Sequence, residues 1–171
     1  AKDPGGALDW LAGQTASRRR DELIRLALKQ YSENDAKGAA EWALRNLSGG
    51  NLNNSLIAIA NQWAGQNGRE AATWFLKLPV TRERNAAVEN MFFTWGSNEP
   101  APALEFIRSD SSIGGLSPTL QCAALAGWAK SDPQAAVMAS LESSRTRKAR
   151  SSWGLSMGCP SSWPGGFDTS D

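Results

Sequence analysis

A chain of 171 residues, 41% apolar and 20% charged, is long enough for one domain with its own core. Its net charge of +1 provides no field to gather nucleic acid or anionic membrane, and no apolar run reaches the roughly 18–20 residues that span a bilayer. The complete absence of histidine removes Ser–His and Cys–His nucleophile pairs and most zinc sites.

Asp3, Asp35, Asn67, Glu99 and Asp132 each open the same phrase, at intervals of 32, 32, 32 and 33 residues. The phrases are Asp3-Pro4 with Ala7, Leu8 and Trp10; Asp35 with Ala39, Ala40 and Trp42; and Asn67 with Ala71, Ala72 and Trp74. Glu99-Pro100 follows with Ala103, Leu104 and Phe106, then Asp132-Pro133 with Ala136, Val137 and, in the aromatic place, Ala139. Each reads as a helix start. Asp and Asn accept hydrogen bonds from first-turn N–H groups, and a proline just after the cap loses none. First helices are therefore expected over about 4–12, 36–47, 68–78, 100–109 and 133–143.

A second helix is expected after each of the first four, carrying Leu23, Ile24, Leu28 and Tyr31; Leu56, Ile59 and Trp63; Val88, Met91, Phe92 and Trp95; and Leu120, Leu125 and Trp128. Tyr31, Trp63, Trp95 and Trp128 form a second column with the same interval, each followed by a small residue: Ser32, Ala64, Gly96 or Ala129. Ser48-Gly49-Gly50-Asn51, Pro79-Val80-Thr81 and Ser112-Ile113-Gly114-Gly115 supply the breaks between helices. The alanine column allows close approach of helices, and both aromatic columns are expected in the interior. Such a period marks a helical solenoid: an all-α stack of four helical hairpins plus a fifth first helix, over residues 1–143.

Residues 144–171 depart from the pattern. A basic run, Arg145, Arg147, Lys148 and Arg150, leads into a Ser/Gly/Pro-rich stretch holding Trp153, Trp163 and Phe167, expected to be poorly ordered or to fold back as a cap. Arg18-Arg19-Arg20 is expected as solvated loop charge. Cys122 is expected as a small buried hydrophobe; with Cys159 it makes neither a disulfide framework nor zinc spacing. Residue 1 is not Met and lies almost on a repeat boundary, as expected of a piece of a longer array or of a processed chain; the compartment is left unread.

Position six after each cap carries Asp9, Glu41, Thr73 and Glu105, which would align along successive first helices. With Lys37 and Arg69 they are the candidate partner-binding residues, expected on a concave face. The plainer reading of Lys37, Glu41 and Arg45, spaced four apart, is an exposed ion-pair strip contributing about 0.2–0.5 kcal/mol per pair. No phosphate-binding glycine loop, paired carboxylates or metal spacing is present, so neither catalytic residues nor a cofactor is assigned.

The spacing Pro4–Trp10, kept in Ala36–Trp42 and Gly68–Trp74, resembles the tetratricopeptide family. The interval of 32–33 rather than 34, the missing Leu-Gly pair after the tryptophan, and bulky Tyr31, Trp63, Trp95 and Trp128 where that family has a small residue mark a divergent type. Trp128-Ala129-Lys130-Ser131-Asp132-Pro133-Gln134-Ala135-Ala136 is similar to bacterial repeats of the form Trp-Ala-x-x-Asp-Pro-x-Ala-Ala. The resemblance covers about residues 1–143. It implies a right-handed α-α superhelix that binds proteins or peptides along its concave face, with no reaction and no cofactor. The function expected is a non-catalytic protein- or peptide-binding scaffold, without specific nucleic-acid binding or membrane insertion. The alternative is a substrate-positioning arm of a larger enzyme.

Overall fold

The computed structural model describes residues 4–150. They form eight α-helices and one short 3₁₀ helix, with no strand among the described residues: α1 (Pro4–Ala12), α2 (Arg18–Asn34), α3 (Ala36–Asn46), α4 (Gly49–Lys77), α5 (Arg82–Asn98), α6 (Pro100–Ser109), η1 (Ser111–Leu116), α7 (Ser117–Ser131) and α8 (Pro133–Arg150). The expected cap Asp3 lies outside the described residues, as do Cys159, Trp153, Trp163 and Phe167.

The other four caps share one backbone conformation: φ/ψ of −145°/83° at Asp35, −154°/86° at Asn67, −137°/74° at Glu99 and −144°/88° at Asp132. Side chains complete three of them. Asp35 accepts from the Gly38 N–H at 2.8 Å, Asn67 from Glu70 at 3.1 Å and Asp132 from Ala135 at 2.9 Å. At Asn67 the turn is so tight that the second helix of one pair runs into the first of the next; α4 is two helical arms, 49–66 and 68–77, kinked at this residue. Side chains also cap α2 and α5: Ser17 accepts from Arg20 N–H at 3.2 Å, and Thr81 accepts from Arg84 N–H at 3.1 Å.

The long helices α2, the first arm of α4, α5 and α7 pack side by side in sequence order. The short helices sit against them, and α1 meets α3, and α4 meets α6, at only a few points. Helices α5 and α7 approach closely. A Cβ on Gly96 would strike the Ala124 backbone, and one on Gly127 would strike the backbone of Phe93. The fourth break holds the extra residue of the longer interval as η1, with Gly114 at φ 49° and Ile113 sealed into the core.

The core follows the alanine and aromatic columns. Ala39, Ala71 and Ala103 are fully buried, as are Leu8, Leu28, Phe75 and Phe92. Two second-column rings pack on aromatics of the following first helix: Trp63 lies 5.6 Å from Trp74 and 6.2 Å from Phe75, and Trp95 lies 5.5 Å from Phe106. Polar tips are retained where a cap can receive them. Trp95 Nε1 donates to the Glu99 carboxylate at 3.1 Å, and Tyr31 Oη donates to the Asp35 carboxylate at 3.4 Å, both four residues on.

Several expectations are corrected. Trp10 is not interior; it is 67% exposed, on a helix that among the described elements meets α2 and, at a few points, α3. Tyr31, Trp74 and Trp128 are half-buried rather than sealed. Arg18-Arg19-Arg20 is not loop but the first turn of α2, opened by the Ser17 cap. Residues 144–150 continue α8, since no proline or glycine interrupts the chain before Gly154. Cys122 is half-buried rather than sealed.

Candidate functional site

All six candidate residues are exposed: Asp9 on α1, Lys37 and Glu41 on α3, Arg69 and Thr73 on the second arm of α4, and Glu105 on α6. The structure joins some of them into local pairs. Lys37 Nζ and Glu41 lie 3.9 Å apart, one helical turn separated, and Thr73 donates its hydroxyl to the Arg69 carbonyl at 2.8 Å. Arg69 places its guanidinium 5.7 Å from the centre of the Phe106 ring, linking α4 to α6.

Asp9 has a role that its position in the row did not suggest. It accepts the indole N–H of Trp42 at 2.6 Å, bridging α1 to α3. Around that bond lies a crevice of about 290 Å³ lined by Gly5, Asp9, Tyr31, Gly38, Trp42, Arg45 and Asn46. It presents a carboxylate, a phenol and a guanidinium beside aromatic walls. Arg45 is held on its own helix, its Nε donating to the Glu41 carbonyl at 3.2 Å.

A larger groove, about 550 Å³, opens between the starts of α2 and α4 and is lined by Arg18, Asp21, Arg25, Leu47, Asn51 and Asn54, among others. Asp21 anchors it. Asn51 donates to its carboxylate at 3.0 Å and Arg20 at 2.9 Å, and these bonds, that of Asn51 foremost, hold its pKa below the usual 3.8. Both grooves are open and shallow.

Arg84 was not singled out from the sequence. It is 3% exposed, and its guanidinium closes the end of α4, donating to the carbonyls of Phe75 at 3.1 Å and Leu76 at 3.0 Å, while Nη1 donates to Asn85 at 2.9 Å. Burial lowers its pKa, yet an arginine so bonded stays charged. Arg20, two intervals earlier, donates to the Gln14 carbonyl at 3.1 Å, in the turn that follows α1. The recurrence of arginine at this one register was the available signal.

Among the described residues no three His, Cys, Asp or Glu side chains gather closely enough to hold a metal ion, and no helix is long and apolar enough to cross a membrane. No family model matches the chain, and neither does any curated protein or solved structure.

Proposed function

We propose that the chain is a non-catalytic scaffold that binds a protein or peptide along the row of exposed side chains on its first helices. One observation carries the reading: Asp9, Glu41, Thr73 and Glu105, at one register on four helices, are all exposed, while Ala39, Ala71 and Ala103 two places before the last three are sealed. A rigid apolar stack thus displays a regular line of polar groups, with Lys37 and Arg69 adding cations one turn away. The right-handed superhelix implied by the tetratricopeptide resemblance would make this line a concave wall. A bound peptide takes its affinity from contacts repeated at each helix rather than from a single deep pocket.

The test is selection from a phage-displayed peptide library on the folded chain, followed by binding to Lys37→Glu/Arg69→Glu. Both positions are exposed and their contacts lie at the surface, so the variant should stay folded with unchanged helicity and lose the selected peptides by tenfold or more. Failure to enrich any peptide, or equal binding by the variant, would overturn the proposal.

A further inference from the structure

A polar groove runs between α2 and the first arm of α4. Two cavities, of about 550 and 90 Å³, meet in it, for Arg25 and Ser55 line both. Arg18, Arg25 and Lys29 fall on one stripe of α2, seven and then four residues apart, and form a basic wall. The opposite wall is the arm 49–66, which carries no charged residue and presents Asn54, Ser55 and Gln62.

Two carboxylates border the groove, and both are matched. Asp21 accepts from Arg20 and Asn51, and Glu22 lies 3.6 Å from Arg25. The cationic groups of Arg18 and Lys29 have no partner among the described residues. The Ser55 hydroxyl and the amides of Asn54 and Gln62 are likewise without hydrogen-bond partners there. Ser55 carries the most weight. Buried polar groups are almost always bonded within a fold, yet this residue is only 6% exposed and lines both cavities.

The repeat itself does not require the cations. One interval on, Arg18, Arg25 and Lys29 become Gly50, Ile57 and Asn61 on α4, and the last two become Glu89 and Phe93 on α5. Long helices thus pack on one another with neutral, acidic or apolar residues at these positions, and this arrangement of three cations is particular to α2.

We infer that the α2–α4 groove binds an acidic peptide segment in extended conformation. Its carboxylates meet Arg18, Arg25 and Lys29, and its backbone meets the Asn54 and Gln62 amides and the Ser55 hydroxyl, each of which can donate and accept. From Arg18 to Lys29 the wall runs roughly 16 Å, the length of about five extended residues. No aromatic side chain lines either cavity, so the bases of a single-stranded nucleic acid find no stacking platform. The net charge of +1 adds no general attraction, so the binding is local to the groove. This surface is separate from the row on the first helices, since neither Lys37 nor Arg69 lines it.

The test uses the full chain and three fluorescein-labelled probes: a short peptide of alternating Glu and Ser, its counterpart with Gln in place of Glu, and a single-stranded RNA of matching length. Fluorescence anisotropy should show binding of the Glu peptide alone, weakening as salt is added. Arg18→Gln/Lys29→Gln, at two exposed positions, should keep its helicity and lose the Glu peptide by tenfold or more. Lys37→Gln/Arg69→Gln removes the same charge from the row on the first helices and should bind the Glu peptide as the parent chain does. The inference fails if the Glu peptide does not bind, if its Gln counterpart binds as well, or if the two variants lose it equally. It fails also if the RNA binds through Arg18 and Lys29 as tightly as the peptide, since the groove then serves a nucleic acid.

Discussion

Arg84 shows how a single charged side chain can be structural. The last carbonyls of α4 lack helical partners, and the buried guanidinium satisfies two of them. Replacing it by Met keeps an apolar stem and strands both acceptors, at a cost of about 2–3 kcal/mol. Arg19→Ala, on the exposed side of α2, should change stability by less than about 0.5 kcal/mol. Urea unfolding of the two variants checks the contrast, and equal effects would mean that the clamp does not act. Asp21 gives a prediction in pH. Its folded pKa lies below its unfolded value because Asn51 and Arg20 bond the carboxylate. The stability it contributes is thus present above the ordinary value of 3.8 and lost as pH falls through the folded one. Asp21→Asn should lower stability in the neutral region, where the contribution is present, and flatten the acid limb of a stability-against-pH curve, so that the two curves converge as pH falls below about 4.

At the scale of helices, the contact between α5 and α7 is set by glycine. Neither Gly96 nor Gly127 has room for a methyl group, because backbone rather than a movable side chain stands opposite. Gly96→Ala and Gly127→Ala should each destabilise by about 1–3 kcal/mol or force the helices apart. Gly65 lies inside the first arm of α4 with only the tip of Asn98 nearby, at 4.0 Å. Gly65→Ala should have the opposite sign, stabilising by about 0.5–1 kcal/mol through helix propensity alone. Thermal denaturation of the three variants measures both signs together. The caps were legible as sequence because capping is local: Asp35, Asn67 and Asp132 act on N–H groups three residues away. The glycine contact was not, since a small residue after an aromatic shows only that approach is permitted, not which backbone fills the space.

Across the whole molecule, position in the stack outweighs identity. Trp10 and Trp42 occupy one register, yet one is 67% and the other 4% exposed. Trp42→Ala should cost about 3–5 kcal/mol, and Trp10→Ala less than about 1 kcal/mol, as measured by equilibrium unfolding. The candidate row was legible for the same reason that the helices were: its exposure follows from the 3.6-residue period once the buried alanines are fixed. That Asp9 also bonds Trp42 was not legible, because it requires two helices to meet at a particular height. The amino-acid sequence alone determined the all-helical character, the cap positions and which helix faces are apolar, because these depend on interactions within about four residues. Only the tertiary structure decided which aromatics are sealed and which arginine closes a helix end, because burial depends on what packs from the next helix pair.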